Sequence, residues 1–163
     1  MVKMIRVFAQ HLVSGVLSVS LFVSLVSFTT SVWAVSDAAA GEQKASACVA
    51  CHGQAGNSTM PSFPKLAGQG ERYLVKQLAD IKSGARKADA MTAIAANLSE
   101  QDMADLAAYF AKQTATLGGV KKDQLELGQQ VYRAGVAEKG VTACAACHGA
   151  NGLGLASAGF PSL

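Results

Sequence analysis

The sequence has 163 residues, half of them hydrophobic, and a formal net charge of +3. Two of its basic residues, Lys3 and Arg6, and none of its acidic ones precede residue 35, so the remainder is close to neutral. That balance gives no support for nucleic-acid binding, which asks for a basic face.

Lys3 and Arg6 form a positive n-region, and residues 12–28 are apolar apart from small Ser and Gly residues. Val32-Trp33-Ala34 then fits the positions a signal peptidase reads, so residues 1–34 read as a secretory signal cleaved after Ala34. An uncleaved membrane anchor is the weaker reading, because five serines dilute the apolar run and a cleavage site follows it.

Residues 38–47 are small and Ala-rich and predict a short helix. It leads into Cys48-Val49-Ala50-Cys51-His52, and the same pattern returns as Cys144-Ala145-Ala146-Cys147-His148. These four cysteines are all the cysteines in the chain, and the third histidine, His11, lies in the leader. Two thiols three positions apart can each add to one vinyl group on the same haem edge. The next imidazole then falls under the iron. Cys48, Cys51, Cys144 and Cys147 are therefore assigned as covalent anchors of two haem c groups, and His52 and His148 as axial iron ligands. A disulfide within each pair needs no following His, and a zinc site wants four ligands close together. A ligating imidazole usually donates its other N–H to a carbonyl.

Gly53 and Gly56 favour an irregular path close to a planar cofactor. Residues 60–64 read as a loop with Pro61 and Pro64. Over residues 71–83, Leu74, Leu78 and Ile81 recur at helical spacing, and Gly84 ends that helix. Residues 88–98 form a second, Ala-rich helical segment containing Met91. Ser99 with Asp102 looks like a helix start, with Asp in place of the usual Glu or Gln. Met103, Leu106, Ala107 and Phe110 then mark one face of a helix ending near Gln113. Residues 114–122 break the pattern and read as an interdomain linker. Residues 125–134 are helical again, with Leu127 and Val131 on one face. No β-alternation of any length appears, so the expected class is all-α.

The sixth ligand of the first iron is sought among Met60, Met91 and Met103. Met60 sits in the loop passing the proximal side, and Met103 lies on an apolar helix face where a Met is normally core filling. Met91 follows the long helix and can reach back over the distal face, so it is the assigned ligand. No methionine follows His148. Lys65, Arg72, Lys76, Lys82, Arg86 and Lys87 are interleaved with Glu71, Asp80 and Asp89, which reads as an ordinary solvated face for most of them.

The two attachment sites head an internal repeat. Cys48 to Gly56 matches Cys144 to Gly152 at a constant offset, and Phe63-Pro64-Lys65-Leu66 matches Phe160-Pro161-Ser162-Leu163 one residue further on. The repeat predicts roughly 45–50 further residues, by the usual equality of repeat units. The expectation is an incomplete chain or a decayed second half.

These residues bring a family into view. The chain resembles the dihaem cytochromes c4, most closely over Cys48 to Gly53 and the run from Phe63 to Leu78. The likeness continues through Met91 and Leu98 to Asp102 to Ala108-Tyr109-Phe110, and resumes at Cys144 to Gly149 and Gly159-Phe160-Pro161. The resemblance implies two tandem class I cytochrome c domains: residues 35–113, then the linker at 114–122, then an incomplete second domain at 123–163. It implies His and Met axial ligation and two haems facing each other across the domain interface. It also implies a periplasmic electron carrier, not an enzyme, working from a quinol-oxidising complex towards terminal oxidases, with peripheral membrane association left open. The alternative is a cytochrome subunit of a larger redox enzyme, such as a sulfide-oxidising flavocytochrome.

Overall fold

A computed structural model describes residues 35–163, and the leader, its cleavage position and His11 lie outside the described residues. The elements in order are α1 (Ala38–Lys44), α2 (Ser46–His52), α3 (Glu71–Ser83), α4 (Asp89–Ala96), α5 (Glu100–Ala111), α6 (Lys122–Ala134) and α7 (Ala145–His148). Short 3-10 turns lie at Gln54–Gly56, Ala137–Lys139 and Ala156–Ala158. Among the described residues there is no strand, only the isolated antiparallel bridges Val136–Val141 and Leu155–Phe160. The expected all-α class holds.

Helix α3 forms where its spacing predicts. Leu74 and Ile81 are buried, and Gly84 closes the helix at φ +81°, giving its N–H to Ile81 O. The start at Ser99 is a full capping box. The Ser99 N–H donates to Asp102 Oδ2 (2.9 Å) and the Asp102 N–H donates to Ser99 Oγ (3.1 Å), so the shorter Asp reaches as Glu would. One expectation changes. The helix expected over 38–47 is two helices, broken at Ala45, whose N–H is shared between Gly41 O (2.9 Å) and Glu42 O (3.2 Å). The bend lets Ala45 point into the core while the following turn carries the thiols.

The core is built on α5. Leu106, Ala107 and Phe110 pack with Ala45 and Leu74, and Cys48, Leu66, Val75, Leu98 and Tyr109 border them. Helix α1 crosses α5 so closely that only a residue without a side chain fits: a Cβ on Gly41 would lie 2.0 Å from Asp105 O. The crossing is fastened by charge. Lys44 Nζ bonds Asp102 Oδ1 at 2.8 Å and Asp105 Oδ2 at 2.6 Å. Asp105, 2% exposed, also accepts from the Asp37 N–H (2.9 Å) and from Gln101 Nε2 (2.7 Å), so neither oxygen of this carboxylate is left bare.

The Lys44 ammonium holds both carboxyls below the ordinary 3.8, and their hydrogen bonds hold Lys44 above its ordinary 10.5. Groups with depressed pKa values stabilise the fold above their unfolded value and lose that contribution as pH falls through the folded value. Asp105→Asn is therefore expected to lower the melting temperature at neutral pH. It should also flatten the decline below about pH 4, as read by melts of both proteins across pH 2–7. Parallel curves for the two proteins would show that this carboxylate does not drive the acid limb.

The second half is built differently. No residue of α6 or α7 is buried, and Leu127, Leu153 and Leu163 are 65%, 71% and 70% exposed. Helix α6 starts three residues earlier than its apolar spacing suggests, at Lys122. The two halves touch where α3 and its preceding loop meet residues 156–162.

Candidate functional site

Helix α2 places Cys48, Cys51 and His52 on one short turn. All four cysteines are free, and burial pushes the Cys48 thiol up, which disfavours the thiolate. His52 is 5% exposed, and its Nδ1 lies 2.8 Å from Pro64 O. A carbonyl oxygen only accepts, so Nδ1 carries a proton, and in the neutral imidazole this leaves the Nε2 lone pair available to a metal. Phe63 packs edge-on against the ring at a 6.2 Å centroid distance.

The second site repeats the imidazole-to-carbonyl bond with a phenylalanine beside the ring, although His148 is less buried than His52. His148 Nδ1 lies 2.8 Å from Pro161 O, and Phe160 stands 6.5 Å from the ring. The same backbone bond staples both proline loops: the Leu66 N–H to Gly56 O (2.8 Å), and the Leu163 N–H to Gly152 O (2.9 Å). Gly56 takes φ +77°, and a Cβ there would meet Phe110 Cδ1 at 2.8 Å and Ala67 N at 2.9 Å, so the loop closes only on glycine. Pro64 and Pro161 thus supply the carbonyl acceptors that the two ring N–H groups require.

The methionines separate by burial. Met103 is 3% exposed within α5, and Met60 is 47% exposed in the loop after Ser58, whose hydroxyl bonds both the N–H and the carbonyl of Met60. Met91 is half-buried in the first turn of α4. Sequence reasoning missed Gly41, Asp105 and Gln69. A glycine inside an Ala-rich helix was a signal for the first. Asp105 and Gln69 each bond a partner more than 60 residues away, which local sequence does not disclose.

Two thiol pairs, each followed by an imidazole whose Nδ1 is tied to a carbonyl, are the donor set of a c-type cytochrome, and their chemistry fits covalent haem c. A family model described as cytochrome c matches residues 38–114. Cytochrome c4 from Pseudomonas aeruginosa is 52% identical over 130 residues, covering 80% of this chain and 65% of that protein. Cytochrome c4 from Thiocapsa roseopersicina is 48% identical over 131 residues, covering 79% of this chain and 68% of that protein. The crystal structure of reduced recombinant cytochrome c4 from Pseudomonas stutzeri superposes with a TM-score of 0.75 at 46% identity, over 79% of this chain and 73% of that one. The chain belongs to the cytochrome c4 family. It spans about two thirds of the length of these relatives, and its cofactor is covalently bound haem c.

Proposed function

We propose that this protein is a periplasmic dihaem electron carrier, passing electrons from a quinol-oxidising complex towards terminal oxidases, and that it performs no bond chemistry of its own. Cys48 and Cys51 anchor the first haem, and Cys144 and Cys147 the second. His52 and His148 ligate the two irons, and Met91 takes the sixth position of the first. Residues 35–113 and 123–163 act as two cytochrome c domains joined by 114–122. Bound haem supplies a one-electron iron couple.

The observation that carries this reading is the duplicated imidazole-to-proline-carbonyl bond, 2.8 Å at both sites. That bond fixes the tautomer and ring orientation and raises the basicity of Nε2. Burial of His52 keeps water from its side of the site. Rings fixed in this way would hold a bound iron alike in both oxidation states, which is what electron carriage requires. The basic leader at residues 1–34 supports export, and no helix among the described residues is long and apolar enough to cross a membrane.

The test is the mature protein from a host able to attach haem c. Its intact mass should report two haems and loss of residues 1–34. Acid acetone should leave the colour on the protein, and a redox titration should show two one-electron steps. Colour leaving with the solvent defeats the proposal.

A further inference from the structure

The loop that holds His148 is itself held from the first half of the chain. Gln69 lies between the Pro64 loop and α3. Its Oε1 accepts from the Ser162 N–H (2.8 Å) and its Nε2 donates to Ser162 O (3.0 Å), across 93 residues of sequence. The Gly70 N–H also donates to Oε1 (3.0 Å), which fixes which end of the amide is oxygen.

The Ser162 N–H belongs to the same peptide plane as Pro161 C=O. That one peptide therefore accepts from His148 Nδ1 on one edge and donates to Gln69 Oε1 on the other. A peptide bonded on both edges is polarised, and each bond strengthens the other by about 10–30%. Among the described residues the matching N–H in the first half, that of Lys65, has no such partner. The support is one-sided.

We propose that Gln69 is a positioning residue for the second iron site: through the Pro161–Ser162 peptide it orients and strengthens the hydrogen bond on the His148 imidazole. The proposal rests on the reading of His148 as an iron ligand. A stronger bond at Nδ1 makes the imidazole a better donor and favours ferric iron. The first half of the chain thus sets the potential of the second haem.

The experiment uses the full chain with its haems attached. Gln69→Leu keeps the bulk and removes both polar atoms. The second haem should shift about threefold towards ferrous, about 28 mV upward at 59 mV per decade, with the first haem unmoved. The His148 Nδ1 proton, followed by NMR, should exchange faster with solvent. Arg72→Ala is the control, because Arg72 bonds Ser157 O across the same contact but touches no part of that peptide. It should leave both potentials in place. An unchanged second potential in Gln69→Leu overturns the proposal, as does an equal shift in Arg72→Ala. His148→Ala separates the two readings. If it leaves the second haem's spectrum unaltered, the ligand assignment has failed. If it alters that spectrum while Gln69→Leu is silent, only the role of Gln69 has failed.

Discussion

Gly41→Ala is expected to cost the protein roughly 3 kcal/mol, the upper end of overpacking penalties. For a chain of this size that is a fall of roughly 10 °C in melting temperature. Two effects oppose each other. Alanine inside a helix is favoured over glycine by about 1 kcal/mol. The new Cβ, however, would stand 2.0 Å from Asp105 O, 2.6 Å from Asp105 C and 2.8 Å from Tyr109 Cβ. Two of those three atoms are backbone of α5, so no rotamer change relieves the contact, and the helices must part. Parting them stretches the bonds from Lys44 and from the Asp37 N–H to the Asp105 carboxylate, because they span the same crossing. It also shifts α2, which follows α1 after one bent residue and carries Cys48, Cys51 and His52. Thermal melts of both proteins, followed by far-ultraviolet circular dichroism and by haem absorbance, read the loss. A melting temperature within a few degrees of wild type would show that α1 and α5 approach less closely than described.

That crossing marks the limit of what the sequence discloses. Local rules were enough for α3, because Leu74, Leu78 and Ile81 repeat at helical spacing and Gly84 supplies the left-handed stop. They were enough for the start of α5, where Ser99 and Asp102 lie three residues apart. The thiols and imidazoles declare themselves by spacing alone, whereas the proline carbonyls are tied to the rings only in the fold. The break at Ala45 has no local signal, since neither proline nor glycine occupies it. The bent residue is itself buried in the core, with Cys48 packed against the same cluster. Asp105 looks like one more acid on a solvated helix, and its burial depends on Lys44, 61 residues earlier. Gln69 is further still from its partner. Contacts of that length follow from the fold and cannot be read before it.

The same distinction bears on Met91, which spacing alone could only rank among three candidates. Met91→Ala is expected to abolish the methionine-to-iron charge-transfer band of the first haem. It should lower that haem's potential on the order of 0.2 V, a fraction of the roughly 0.8 V that axial ligands command. Thioether ligation opposite histidine favours ferrous iron, so its loss moves the couple downward. The rivals fare worse on burial. Met103 is packed inside α5, beside the fastened crossing, and Met103→Leu should retain the band while costing less than about 1.5 kcal/mol. Met60 is tied by its backbone to Ser58 in the loop that leads to Pro64, the carbonyl on the Nδ1 side of His52. A side chain there would have to reach round the haem edge to meet the opposite face. Met60→Leu should therefore change neither band nor potential. Met91 alone of the three is half-buried in the first turn of a helix that contributes only Ala95 to the buried interior. Absorbance and redox titration of the three variants decide the assignment. Should the band survive in Met91→Ala and vanish in Met60→Leu, the iron is approached from the Pro64 loop and α4 has another purpose.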